Sequence, residues 1–217
     1  MAQEQTGVFV TLEGIDGSGK STQAARLVGA LEACGREVVA LREPGGTRIG
    51  EKIRALLLDP DNAEMSDACE LMLYEAARAQ LVDEVIRPAL ERGAVVVCDR
   101  YYDSTFAYQA GGRGLDDVLV SSANALGAGG VVPRRTLVFD LDPARALARA
   151  TQGGADRLEA AGVQFQERVR AGYLRLANSE PERVRLVDAD ATPDEVYGRA
   201  VAALADVFPC LSEVAHD

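Results

Sequence analysis

The stretch Val8-Phe9-Val10-Thr11-Leu12-Glu13-Gly14-Ile15-Asp16-Gly17-Ser18-Gly19-Lys20-Ser21-Thr22 carries two signals in succession. Val8 to Glu13 is the short apolar run that a strand buried on both faces requires. Gly14 to Ser21 then fits G-x-x-x-x-G-K-[ST]. Beyond it, Ala24, Leu27, Val28 and Leu31 fall at i, i+3, i+4 and i+7, so the spacing predicts a helix, with Gly35 as its C-terminal cap. Strand, glycine-rich turn and helix in that order let backbone N–H groups curl around phosphate oxygens at the positive end of a helix. The expectation is a nucleoside triphosphate held by Gly14, Ile15, Asp16, Gly17, Ser18, Gly19, Lys20, Ser21 and Thr22. In such a loop the lysine, Lys20, reaches the β- and γ-phosphates, and the hydroxyl of Ser21 ligates Mg²⁺. A glycine-rich turn with a surface lysine is the bland alternative.

Outward from this loop, short Val/Leu/Phe-rich runs alternate with amphipathic segments, which is how an α/β protein with a parallel sheet is written. Strands are predicted at Val8–Glu13, Glu37–Arg42, Ala94–Asp99, Thr136–Leu141 and Val184–Asp188. Further helices are predicted over Ile49–Leu58, Asp67–Arg92, Leu115–Leu126, Pro143–Ala150, Gln164–Asn178 and Pro193–Val207, with a kink at Pro88. Gly111-Gly112-Arg113-Gly114 reads as a glycine-rich polar segment, and about 151–160 as a short lid between two helices. From Phe208 on, a tail of about 208–217 carries no strong pattern. The whole chain, 1–217, is therefore expected to be one P-loop domain.

Composition sets the outer limits. The chain has 34 acidic against 23 basic residues, a net charge of −11, which argues against nonspecific nucleic-acid binding but permits a local basic pocket for an anion. No apolar run approaches a membrane span, and the N-terminal residues have neither a basic start nor an apolar stretch, so a cytoplasmic protein is expected. Cys34, Cys69, Cys98 and Cys210 are far apart, without a C-x-x-C, so neither zinc nor a disulfide framework is expected.

Three classes of P-loop protein compete: a kinase for a small acceptor, a GTPase-like switch, and a remodelling ATPase. The only D-x-x-G lies inside the loop itself, Asp16 to Gly19, and N-K-x-D is absent, which disfavours the switch. A remodelling ATPase usually ends an apolar strand in Asp-Glu; here Val95-Val96-Val97-Cys98 ends in Asp99-Arg100. An arginine directly after the strand's carboxylate suits a second anion beside the first. That pattern favours a kinase with a phosphorylated acceptor.

Four stretches carry a resemblance to a known family: Leu12 to Thr22; Arg42-Glu43-Pro44-Gly45-Gly46-Thr47; Gly50-Glu51-Lys52-Ile53-Arg54; and Asp99-Arg100-Tyr101-Tyr102-Asp103-Ser104-Thr105-Phe106-Ala107-Tyr108-Gln109. Asp156-Arg157-Leu158-Glu159 continues the order. Together they resemble the thymidylate kinase family, bacterial type. The resemblance implies a P-loop NTPase fold of the nucleoside-monophosphate-kinase kind, a five-stranded parallel sheet flanked by helices with a short lid. It also implies Mg²⁺-dependent phosphorylation of dTMP by ATP, and a homodimer, for which Leu71, Leu73 and Leu81 are seam candidates.

On the acceptor side the resemblance makes Arg54 and Arg100 the clamp on the acceptor's phosphate, a task for which guanidinium forks are suited. Arg54 reads equally well as a solvated helix position. Asp16 would contact the 3′-hydroxyl, Glu43 the sugar and metal, and Tyr108 the sugar at C2′. Tyr74 would stack on the base while Arg78 donates to O4, and Thr105 with Gln109 would meet the N3 edge. Arg157 resembles the lid arginine that reaches the transferred phosphoryl group, so Lys20, Arg100 and Arg157 are the catalytic set. Some members of the family carry a P-loop arginine where this chain has Gly17. For the metal, Asp99 joins Ser21 as a candidate. Partners are thus small nucleotides, with no nucleic acid and no membrane.

Overall fold

The computed structural model describes residues 7–150, 158 and 161–214. Five parallel strands, β1 (Val8–Glu13), β2 (Val38–Arg42), β3 (Val95–Asp99), β4 (Arg135–Asp140) and β5 (Val184–Asp188), form one sheet in the order β2-β3-β1-β4-β5. The predicted strands match within a residue at each end. Alternation along the central strands feeds both faces: Val10, Leu12, Val95 and Val97 join one apolar cluster, and Phe9, Val96 and Cys98 the other. Because all five strands run the same way, their C-terminal ends share one edge, where ligands of such sheets bind.

Helices cover both faces. They are α1 (Lys20–Ala33), α2 (Arg48–Leu58), α3 (Asp67–Leu81), α4 (Arg87–Glu91), α5 (Tyr102–Thr105), α6 (Asp117–Ala128), α7 (Pro143–Ala150), α8 (Val163–Ser179), α9 (Pro193–Leu204) and α10 (Leu211–Val214). The predicted Asp67–Arg92 helix is one column, but between α3 and α4 the turn Val82–Ile86 widens to i→i+5 bonding. Pro88 explains it: proline has no N–H to donate and its ring would clash with the carbonyl four residues earlier, so the ladder slips by one residue just before it.

Two segments differ from the sequence expectation. Tyr102 to Gly112 is helical throughout, α5 running into a second widened turn at Phe106–Gly112. The glycines there are no loop signal. A Cβ on Gly112 would come within 2.6 Å of the Phe165 ring, so its absence lets α8 pack directly on this helix. In the tail, Phe208 and Leu211 are buried and close the core beneath α1 and α9. Leu71 and Leu81 also turn inward, into apolar clusters of their own chain, which removes them as seam candidates. Most of the expected lid, with Arg157 and Glu159, and the last residues, with His216, lie outside the described residues. Among the described residues no helix is long and apolar enough to cross a membrane.

A buried polar chain ties the helix that starts at Tyr102 to the sheet. Thr11 and Thr136 share a hydrogen bond of 2.8 Å between neighbouring strands, and the Thr136 hydroxyl donates to Asp103 at 2.9 Å. Arg183, at the foot of β5, grips both Asp103 oxygens at 2.6 and 2.8 Å. Removing the carboxylate would leave a largely buried guanidinium with Glu180 as its remaining acidic partner. Asp103→Ala is expected to cost about 3 kcal/mol, the low end for a broken buried pair. Urea unfolding measures it, and an unshifted midpoint would contradict the role given to this pair.

Candidate active site

Two clefts meet at the C-terminal edge of the sheet. The first, of about 820 Å³, is lined by Gly17, Gly19, Lys20, Ser21 and Thr22 of the loop after β1, and by Asp99 at the end of β3. The second, of about 530 Å³, gathers Tyr74 and Arg78 of α3, with Thr105, Tyr108 and Gln109 of the helix after β3. Asp16, Glu43, Arg54 and Arg100 border both. All nine side chains that the resemblance assigns to an acceptor thus line one cavity, although they come from five separate parts of the sequence.

The loop owes its path to glycine. Gly14, Gly17 and Gly19 adopt φ of 136°, 80° and 92°, where side chains are strained. At Gly17 a Cβ would also lie 2.0 Å from the Ala146 carbonyl of α7, so the loop has no room for a side chain there. Ile15 and Ser18 are buried behind the loop, and Lys20 Nζ donates to the Ile15 carbonyl at 2.9 Å. Burial, helped by the charge of Arg100, pushes the Lys20 ammonium down to about 8, against the pull of Asp16 and Asp99. Ser21 Oγ donates to Asp99 Oδ2 at 2.6 Å, so these two oxygen groups stand together at the cleft wall.

Arg100 lies at the junction. It is the non-glycine residue with a left-handed backbone among the described residues, φ 73°. Its guanidinium donates to Asp16 at 2.5 Å, to the Tyr108 hydroxyl at 3.1 Å and to Ser104 at 3.0 Å. Burial alone would raise the Asp16 carboxyl, but Arg100, Lys20 and the Tyr108 hydroxyl outweigh it and hold it at about 2. Beneath Arg100 sits Glu13, fully buried, accepting from the Tyr101 N–H at 2.7 Å, from Ser104 at 2.5 Å and from the Tyr173 hydroxyl at 2.9 Å. Burial and then the charge of Asp103 raise its carboxyl to about 7.

Arg78 is the second anchored cation, 1% exposed. It donates to Glu43 at 2.9 Å, to Glu75 at 2.5 Å, to Asn124 at 3.2 Å and to Thr105 at 2.8 Å. Burial pushes Glu43 up to about 7, with Arg78 opposing, and Glu43 Oε1 has no hydrogen-bond partner among the described residues. Arg54 reaches back from α2 to the Pro44 carbonyl at 2.9 Å, which sets it on the cleft wall rather than in solvent. The sequence reading gave no role to Glu13, Glu75, Asn124, Ser104 or Tyr173. Glu75 had a signal, since i,i+3 spacing from Arg78 allows pairing on one helix face. Tyr173 had none.

A family model described as "Thymidylate kinase" matches residues 12–199. The chain belongs to the thymidylate kinase family. Among curated relatives, the thymidylate kinase of Solidesulfovibrio magneticus is 54% identical over 197 residues, 87% of this chain and 94% of the relative. That of Deinococcus radiodurans is 49% identical over 201 residues, 92% and 97% of the two chains. A crystal structure described as thymidylate kinase from Ehrlichia chaffeensis superposes with a TM-score of 0.75 at 32% identity, covering 92% of this chain and 99% of that one. The fold is thus shared, over nearly the full length of both chains, with a structure described as a thymidylate kinase.

The Lys20 value has a consequence for binding. Its charge is present below about pH 8 and is lost above it, whereas nucleotide phosphates are already ionised there. ATP affinity of the free protein is expected to fall about tenfold per pH unit above 8, because binding must then recover the proton. Lys20→Arg should flatten that slope. Calorimetric titration from about pH 7 to about 9.5 checks this, and a flat wild-type profile would contradict it.

Proposed function

We propose that this chain phosphorylates dTMP with ATP, ATP + dTMP ⇌ ADP + dTDP, by direct in-line transfer. The observation that carries the reading is the shared wall of the two clefts, where Arg100 and Arg54 border both the phosphate loop and the acceptor cavity. The triphosphate lies along the amides of Gly14 to Thr22 with Lys20 turning to its β- and γ-phosphates. The acceptor's phosphate takes the guanidinium groups of Arg54 and Arg100, which hold its attacking oxygen toward the γ-phosphorus. Its base stacks on Tyr74, with Arg78 donating to O4 and Thr105 and Gln109 at the N3 edge. Tyr108 packs against C2′, Asp16 accepts from the 3′-hydroxyl, and Glu43 Oε1 is available to the sugar side.

A phosphate monoester is largely dianionic at neutral pH, its second pKa being about 6. No side chain need remove a proton from it, so the residues act by position and charge. Ser21 and Asp99 present hard oxygen donors at one point of the phosphate cleft, which fits Mg²⁺. When bound, Mg²⁺ neutralises charge on the β- and γ-phosphate oxygens. Arg157, on the lid outside the described residues, supplies the remaining cation to the equatorial oxygens.

We also propose a homodimer. With Leu71 and Leu81 in the core, its seam uses side chains left exposed on α3 and α6: Met72 is 71% and Leu126 82% exposed. Leu126→Glu should convert the dimer to monomer in light scattering. A wild-type monomer would contradict the assembly.

A coupled ADP-release assay across dTMP, dUMP, UMP and dCMP tests the reaction. The expected order places dTMP first, dUMP behind it, and UMP and dCMP slower by about a hundredfold or more: dCMP because a site built to hydrogen-bond one base edge rejects the other strongly, and UMP because Tyr108 against C2′ leaves no room for a ribose hydroxyl. Faster turnover of dCMP or UMP would assign the chain to a different monophosphate.

A further inference from the structure

Gln109 lies 1% exposed on the helix after β3 and lines the acceptor cleft. Its amide nitrogen donates to Glu70 Oε1 at 2.8 Å. Glu70, fully buried in the first turn of α3, is no part of the cleft wall. Its two oxygens are forked by Arg113, Nε at 3.2 Å from Oε1 and a terminal nitrogen at 2.9 Å from Oε2. A carboxylate paired in this way offers acceptors only. An amide has a donor end and an acceptor end of nearly the same shape, and only the donor end can face Glu70 without two acceptors meeting. The oxygen of Gln109 is therefore left for the cleft, where it accepts no hydrogen bond from the described residues.

We propose that Glu70 is a positioning residue for base choice: it holds the Gln109 amide so that the oxygen faces N3 of the acceptor's base. A pyrimidine that donates at N3, thymine or uracil, then finds an acceptor. Cytosine, whose N3 carries a lone pair, meets another lone pair. Arg78 reads O4 and is held from behind by Glu75, which is buried and off the cleft wall, so the two arms of base recognition are each aimed by a buried carboxylate outside the cleft. The inference rests on the placement of the base beside Gln109 given under the proposed function.

Steady-state kinetics of Glu70→Leu, Glu70→Gln and Gln109→Leu with dTMP, dUMP and dCMP test it. Glu70→Leu frees the amide to turn. The ratio of kcat/KM for dTMP over dCMP should fall about tenfold, the size of one discriminating hydrogen bond, mainly through KM. The ratio of dTMP over dUMP should stay where it is, because those bases share the N3 edge. Glu70→Gln preserves the shape but can show Gln109 either end of its own amide, so it should move the first ratio in the same direction by less. It serves as the readout if Glu70→Leu does not fold. Both ratios shifting together, or neither shifting, would mean that Glu70 only packs, and the inference falls. If Gln109→Leu leaves the dTMP:dCMP ratio unchanged, the placement of the base is wrong and the inference falls with it. If Gln109→Leu lowers that ratio and neither Glu70 variant does, the base placement stands and the positioning role alone is refuted.

Discussion

The grip of buried Glu13 on the backbone and side chains around Arg100 sets the geometry of both clefts. A residue with a side chain in the left-handed region costs about 1–3 kcal/mol and persists where its surroundings over-determine it. Here β1 supplies that surrounding. Glu13, the last residue of the central strand, accepts the N–H of Tyr101, the residue after the strained one, and then Ser104 and Tyr173, which in turn hold the guanidinium. The left-handed turn sends the Arg100 side chain across the strand ends instead of along β3. Without it, the arginine that follows Asp99 would leave the junction, and Arg54 would be left as the arginine that borders both clefts.

An acidic chain that binds two anions poses a question of local against total charge. Its net charge is −11, yet both buried guanidinium groups of the site are already engaged: Arg100 with Asp16, and Arg78 with Glu43 and Glu75. Leaving such guanidinium groups unpaired would carry a desolvation cost of several kcal/mol each. The internal carboxylates offset that cost in the absence of ligand and fix the forks in orientation. A guanidinium held in this way can meet an anion without first having to order a mobile side chain. Because the pairs are short-ranged and mostly buried, the surplus of surface acid does not cancel them.

Much of the sheet was legible because a strand buried on both faces has to be written as a short apolar run, and five such runs are present. The phosphate loop was legible for a different reason, that glycine, lysine and serine must recur at fixed spacing to follow phosphate oxygens. The helix from Tyr102 to Gly112 was not. Its faces are used up by the cleft wall, through Thr105, Tyr108 and Gln109, and by the close approach of α8 over Gly112, so no apolar stripe of helical period remains. The residues that aim the site were the least visible. Glu13 and Tyr173 are 160 positions apart, and Glu70 and Gln109 are 39 apart. Nothing local marks either pairing, because in each case the partner is chosen by the way the sheet brings distant segments together.

The same close packing decides where positive charge for the transferred group must come from. Gly17 has φ 80° and a backbone carbonyl of α7 where a Cβ would stand, so this loop has no place for an arginine side chain. Lys20 is its one cation, and burial already weakens that charge. Charge spread over the three equatorial oxygens of a loose phosphoryl-transfer state needs donors from more than one side. At the sheet edge, Arg100 borders both clefts. The steric closure of the loop at Gly17 therefore leaves the loop with Lys20 alone, and in the proposed reaction the remaining charge has to come from outside the loop.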